Sequence, residues 1–310
     1  MTAVAPAVSP ARPKHERDRD RVIVVAAVGT MVCLWASAFV AIRFADRELS
    51  PGALALGRLL VGTAALGILV LVRRAPLPGR RELPGIVVCG FLWFGVYNVA
   101  LNAAERRVDA GTAAMLVNIG PILIAILAGT ILHEGFPPRL MAGCLVSFAG
   151  AAVIGLATSR HGLHESLGAI LCLVAAAAYA GGVIAQKPVL RHASPLSVTW
   201  LACTIGAVSC LPYAGSLVHG VGHAGASTIG WMIYLGVAPT AVAFVLWAYA
   251  LARTTAGRMG STTYLVPPLA ILIGWAFLAE VPPLLVFPGG ALCLAGVALA
   301  RTKNRQASLK

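Results

Sequence analysis

The sequence predicts an all-α polytopic membrane protein of ten transmembrane helices, arranged as two inverted-topology five-helix repeats. Three observations carry this expectation. Hydrophobic residues make up 59% of the 310 and charged residues 11%, against about 45–50% and about 25% in ordinary soluble domains. Ten blocks reach the roughly 20 apolar residues that a helix needs to cross about 30 Å of hydrocarbon. The second half of the chain repeats the first. So few charges cannot cover a water-facing surface, which excludes a soluble enzyme, a nucleic-acid binder and a disordered chain.

The elements follow in order. Residues 1–21 carry Pro6, Pro10 and Pro13, then a dense charge run from Arg12 to Arg21. They cannot bury enough apolar area to fold, so a disordered tail is expected. The apolar region of a cleaved signal peptide is only about 7–15 residues, shorter than the first block, so that span is retained. The expected spans are 22–42, 52–72, 84–104, 110–132, 140–159, 167–186, 195–218, 228–252, 259–279 and 281–300. Nine hold no Asp, Glu, Lys or Arg, and the second holds only Arg58. The first repeat is 22–160, the second 161–301, and 302–310 form a short basic tail.

The basic surplus orients the chain. With the N-terminus in the cytoplasm, 18 of the 24 Lys and Arg lie inside and 5 outside. That bias places both termini in the cytoplasm, and the plasma membrane is the expected location. All seven cysteines fall inside apolar blocks, with no CxxC or Cys/His metal spacing. They are expected as small buried hydrophobes, and no metal or cofactor is expected.

Residues 110–154 align with 256–300 without a gap, with 11 identities in 45 positions. Pro121 meets Pro267, Glu134 meets Glu280, Pro137 meets Pro283, and three glycines also match. Chance alanine matches do not place two prolines, a glutamate and three glycines in register. Upstream, Ser50–Pro51 matches Ser194–Pro195 at an offset of 144, and Gly90 matches Gly236 at 146. Five spans per repeat is odd, so the second repeat must enter the membrane from the opposite side. Inverted repeats of this kind allow two halves to exchange conformations around one site.

Several segments now resemble the EamA family of the drug/metabolite transporter superfamily. The stretch from Tyr234 to Arg253 resembles that family's eighth span, and Pro267 to Glu280 its ninth. Leu34-Trp-Ala-Ser-Ala-Phe39 and Pro121 through Glu134 resemble the matching signatures of the first half. The resemblance covers about residues 22–302. It implies ten helices around a central cavity and movement of small organic solutes, often outward. Here Gly135-Phe136-Pro137 and Val281-Pro282-Pro283 depart from the family pattern, following the two glutamates with proline-rich turns.

The candidate site residues come from depth and symmetry. Pro121 and Pro267 sit mid-span, where each removes a hydrogen bond and frees a carbonyl, at Val117 and Thr263. Interrupted helices at corresponding positions point to a solute site, and a packing kink is the alternative. Asn118 and Tyr264 are counterparts three residues before these prolines, and Trp35 and Tyr179 are counterparts at offset 144. These pairs are expected to line the cavity, since aromatic faces suit apolar or cationic solutes and an amide both donates and accepts. Asn98 and Asn102 share a helix face, which lines the cavity or bonds a neighbouring helix. Tyr97 and Trp247 are weaker candidates. Arg58 is a membrane charge, either functional or architectural. Glu134 and Glu280 end spans four and nine, as gates or as caps of a neighbouring helix.

The expected function is a secondary transporter, with export preferred, of small organic metabolites such as amino acids or drug-like solutes. It would work by alternating access around the central cavity. The partners are the solute and the lipid bilayer, with coupling to protons or another ion left open. No P-loop, H-E-x-x-H or convergent nucleophile is present, so an enzyme is not expected. An intramembrane enzyme and a non-transporting scaffold or sensor remain the alternatives.

Overall fold

A computed structural model describes residues 14–107, 116–158, 166–278 and 283–302. Among these residues there is no strand. The helices in order are α1 (Lys14–Ala45), α2 (Pro51–Arg73), α3 (Leu83–Cys89), α4 (Tyr97–Glu105), α5 (Gly120–Thr130), α6 (Pro138–Thr158) and α7 (Ser166–Val189). There follow α8 (Pro195–Ser209), α9 (Ala214–His223), α10 (Ala226–Leu235), α11 (Ala243–Arg253), α12 (Ala256–Ser261), α13 (Val266–Leu278) and α14 (Val286–Arg301).

Seven helical runs among the described residues are long and apolar enough to cross a membrane, or eight if α8 and the bent stretch after it form one span. The shorter apolar helices α5 and α14 stand where the fourth and tenth spans were expected. The beginnings of those two expected spans lie outside the described residues. Leu71 and Phe277 are 77% and 78% exposed. Such large bare apolar side chains are solvated by lipid, and the chain is an integral, multi-pass membrane protein.

Local chemistry sets the helix ends. At α2 the Ser50 hydroxyl accepts the Ala53 N–H at 3.3 Å, and Pro51 occupies the first turn. The helix stops at Arg74, whose φ of 47° is left-handed. At α12 the Thr255 hydroxyl accepts the Arg258 N–H in the same way.

Two expectations are corrected here. The disordered tail expected over 1–21 is helical from Lys14, because α1 continues out of its apolar part into the charged segment. The seventh span is not one straight helix: α8 and the Leu211–His223 stretch meet at 53°. Pro212 sits in the tight turn Leu211–Tyr213 between them and cannot continue the hydrogen-bond ladder.

An unforeseen feature is a pair of π-helical turns. Gly90–Val96 joins α3 to α4, and Gly236–Val242 joins α10 to α11. They begin at counterpart glycines 146 residues apart. Each widened turn is packed by a glycine from the other half of the chain. A Cβ on Gly206 of α8 would lie 2.3 Å from the Phe94 Cβ, and one on Gly62 of α2 would lie 3.0 Å from the Thr240 methyl.

Helices α6 and α14 pack backbone to backbone in the same reciprocal manner. A Cβ on Gly143 would meet the Gly296 carbonyl at 2.5 Å, and one on Gly296 would meet the Gly143 carbonyl at 2.5 Å. Gly150 and Gly289 oppose each other likewise. Between them the Ser147 hydroxyl donates to the Cys293 carbonyl at 3.1 Å, while the Cys293 thiol donates to the Ser147 carbonyl. Small residues are what let membrane helices approach this closely.

Gly143→Ala is therefore expected to destabilise the protein by about 1–3 kcal/mol, the usual penalty for overpacking. Gly230→Ala has nothing within 4 Å to strike and should leave stability unchanged. Thermal unfolding in detergent checks both.

Candidate functional site

The bundle has two ends. One, here the upper, holds the α1–α2 connection and the end of α4; the other, the lower, holds the ends of α5, α7 and α11. A cavity of about 120 Å³ occupies the upper half. Its wall on α1 runs from Trp35 up to Ile42, and on α4 from Tyr97 to Leu101.

The sides of this cavity are built from helix breaks. Pro121 lies in the first turn of α5, directly after a turn at Asn118–Ile119. Pro267 lies in the first turn of α13, after the tight helical turn Thr262–Leu265. Pro121 thus starts a new helix, whereas Pro267 sits inside the continuous helical run Ala256–Phe277, where a tight turn passes into α13. Val117 and Thr263, whose carbonyls the prolines release, both line the cavity.

The π turns supply the remaining irregular backbone, and cavity side chains hold it. The Trp35 indole N–H donates to the Pro239 carbonyl at 3.1 Å. The Asn98 amide donates to the Phe94 carbonyl at 2.9 Å and to the Trp93 carbonyl at 3.3 Å. Trp93 and Pro239 are counterparts at offset 146, so one cavity residue bonds the equivalent carbonyl in each half. Asn102 donates instead to the Pro51 carbonyl, tying α4 to the start of α2. It bonds a neighbouring helix and is not among the lining residues.

Arg58 is the single charged residue among the described residues that line the cavity. It is 7% exposed, and its Nε donates to the Thr240 hydroxyl at 3.1 Å within the second π turn. That bond aims the guanidinium without neutralising it. Above the cavity, Arg106 pairs with Asp46 at 3.0 Å and donates to the Leu49 carbonyl.

The floor is aromatic. Trp35 lies 5.3 Å from Phe244 and 5.4 Å from Trp247, and Trp93 lies 4.8 Å from Phe244 and 5.1 Å from Tyr179, between ring centroids. Trp247 sits under this layer, fully buried and outside the cavity wall.

The lower end is latched by charged groups on backbone. Glu134 lies in a turn between His133 and Gly135, which take left-handed φ of 54° and 73°. Its carboxylate accepts the Ala256 N–H at 2.9 Å and the Gly257 N–H at 3.3 Å, capping α12. The Lys187 ammonium donates to the Leu251 carbonyl at 2.6 Å and to the Thr254 carbonyl. The α11–α12 connection is thus gripped from α5 and from α7.

The cavity brings together Trp35, Arg58, Asn98, Asn118, Pro121, Tyr179 and Pro267 of the expected set. It does not include Tyr264, which corrects the expectation that the Asn118/Tyr264 pair lines it together. Tyr264 is fully buried and packs against Cys144 and Cys293 between α6 and α14, while its neighbour Thr263 faces the cavity. The tight turn before α13 rotates the two apart. Glu134 lies at the lower end, and Glu280 lies outside the described residues. Thr240, Trp93 and Phe244 were not expected from the sequence, although the Gly90/Gly236 match marks the π turns that carry Trp93 and Thr240.

The profile of the EamA-like transporter family matches twice, over residues 22–156 and 166–302. The chain belongs to the EamA-like transporter family. It is 39% identical over 275 residues to a Streptantibioticus cattleyicolor protein named "Probable terminal-alkyne amino-acid exporter", covering 88% of this chain and 91% of that one. A Salmonella typhimurium protein named "Probable amino-acid metabolite efflux pump" is 24% identical, covering 86% and 91%. A solved crystal structure superposes with a TM-score of 0.72 at 19% identity, covering 90% of this chain and 96% of that one, and so shares the fold. The EamA-family chain is a membrane transporter.

Asn98→Leu would remove the side-chain donor of the Trp93 and Phe94 carbonyls. A loss of about 1–3 kcal/mol is expected, read as a lowered Tm in detergent, with Tyr97→Phe as a control of similar size.

Proposed function

We propose that this protein is a secondary exporter of small organic carboxylates, amino acids foremost, working by alternating access between two inverted five-helix repeats. The observation that carries the substrate class is Arg58: one guanidinium, and no acidic side chain among the described residues, faces an aromatic-floored cavity. Such a wall attracts an anionic head group and accommodates an apolar body. The exporter names of the relatives support the same direction and class.

Ten spans and an odd number per repeat account for the reciprocal packing across the molecule. Gly143 against Gly296 and Gly150 against Gly289 are what a pseudo-two-fold axis in the membrane plane requires. The repeats are 22–160 and 161–301, with both termini in the cytoplasm of a plasma membrane, as the basic residues favour. The cavity then opens outward, and Glu134 and Lys187 hold the cytoplasmic end shut. Trp35, Asn98, Asn118 and Tyr179 contact the solute, Pro121 and Pro267 shape its site, and Tyr264 takes part in another state. The protein moves solute unchanged and is not an enzyme. A proton or another ion drives it.

Flux into proteoliposomes tests this. The purified protein is offered amino acids, other metabolites and cationic dyes, with and without a pH gradient. Saturable movement of carboxylate solutes is expected, reduced at least tenfold in Arg58→Gln and in Trp35→Ala. Movement of the dyes alone, or carboxylate flux indifferent to Arg58→Gln, sinks the proposed class.

A further inference from the structure

Buried polar groups in membrane proteins are normally paired, so each exception asks for a reason. Among the described residues six carry buried side-chain atoms with no hydrogen-bond partner: Glu105, Tyr179, Gln186, Ser197, Trp247 and Tyr264. Gln186 is 0% exposed, and neither its amide nitrogen nor its amide oxygen is bonded. The Tyr179 hydroxyl has the Thr263 side chain as its polar neighbour, without the geometry of a full hydrogen bond.

Four of these six share a position in the repeat. Tyr179 and Gln186 follow Trp35 and Ile42 by 144 residues, and Trp247 and Tyr264 follow Leu101 and Asn118 by 146. All four counterparts line the upper cavity. The counterparts of Ser197 and Glu105 are Ala53 and Leu251, and neither lines it. The unpaired groups therefore mark, in the half of the molecule that is closed here, four of the places whose counterparts form the open cavity in the other half.

The geometry runs the right way. Gln186 lies seven residues below Tyr179, two turns down the same face of α7. Between them Gly182 is packed on Trp93 of the floor. The next residue after Gln186 is Lys187, which grips the α11–α12 connection. Trp247 lies under the floor itself. The set extends from the bottom of the upper cavity to the lower latch.

We propose that Tyr179, Gln186, Trp247 and Tyr264 line a second solute station, which opens to the lower end when Glu134 and Lys187 release. The inference rests on the transport reading above. In an exporter this is the loading station. Two phenols, an indole N–H and a carboxamide all donate hydrogen bonds, and no acid belongs to the set. It takes the carbonyl or carboxylate oxygens of the solute before Arg58 does. Tyr179 belongs to both stations and hands the solute from one to the other.

The test uses membrane-impermeant thiol reagents on reconstituted protein whose native cysteines have been replaced. Gln186→Cys should react only from the lower side, and at least fivefold faster once Glu134→Gln and Lys187→Met release the latch. Ala38→Cys, in the upper cavity, should change in the opposite sense. Hydroxyl-radical footprinting of Trp247 and Tyr264 in the chain with its native cysteines, with and without the latch substitutions, gives a second reading that needs no cysteine variant. Faster oxidation of both on release supports the station. Solute flux with labelling and footprints unmoved by release overturns this inference alone, and unmoved labelling without any flux overturns the transport reading with it.

Discussion

The structure depends on one rule of the hydrocarbon environment: a backbone group that leaves its helix ladder must find a partner inside the protein or at water. This chain departs from the regular ladder at four places: two π turns and the irregular turns before Pro121 and Pro267. All four converge on one cavity. Were the breaks spread over the lipid-facing surface, each would leave a polar group in oil. Gathered together, they satisfy one another through Trp35, Asn98 and Thr240, or face the solute path. The cavity is thus the place where irregular backbone is permitted, and the solute site and the fold's departures from regularity have the same cause.

The rest of the molecule divides into contacts that resist sliding and contacts that release. The α6–α14 pair is locked by opposed glycine carbonyls and by the reciprocal Ser147–Cys293 bonds. Backbones this close cannot shift without a clash. The lower latch is of another kind: a carboxylate on two N–H groups and an ammonium on two carbonyls. These bonds are strong one by one, yet each group exchanges readily for water at a membrane surface. On the transport reading proposed above, the fixed seam serves as the hinge and the exchangeable latch as the door.

Much of this was legible in the sequence. Hydropathy places the apolar runs, and the 146-residue offset pairs Pro121 with Pro267. The π turns were not legible: a widened turn has no composition of its own, and only the Gly90/Gly236 match hinted at it. Tyr264 was misplaced because symmetry of sequence is not symmetry of conformation. Asn118 and Tyr264 are equivalent in the repeat, but the two halves stand in different states. The bend at Pro212 was hidden by continuous hydropathy, and the helix over 14–21 by a composition that reads as solvated chain. Gln186 passed unnoticed as a span boundary, since its burial is a property of the packed bundle and not of its neighbours in sequence.

The burial of Gln186 without partners carries information. A sequence built from two equivalent halves predicts two equivalent sites, and a single conformation displays one. The residues that look wrong in the displayed state, buried and unpaired, are then the natural record of the state not displayed. Selection for one rigid fold would replace Gln186, Trp247 and Tyr264 with apolar residues of similar size, removing unpaired groups at little loss of packing. A chain that keeps them bears that penalty in this state because the groups are satisfied in another. The polar groups at these positions raise the energy of the closed lower half and so keep the two conformations near balance, which is what a carrier that must return after every turnover requires.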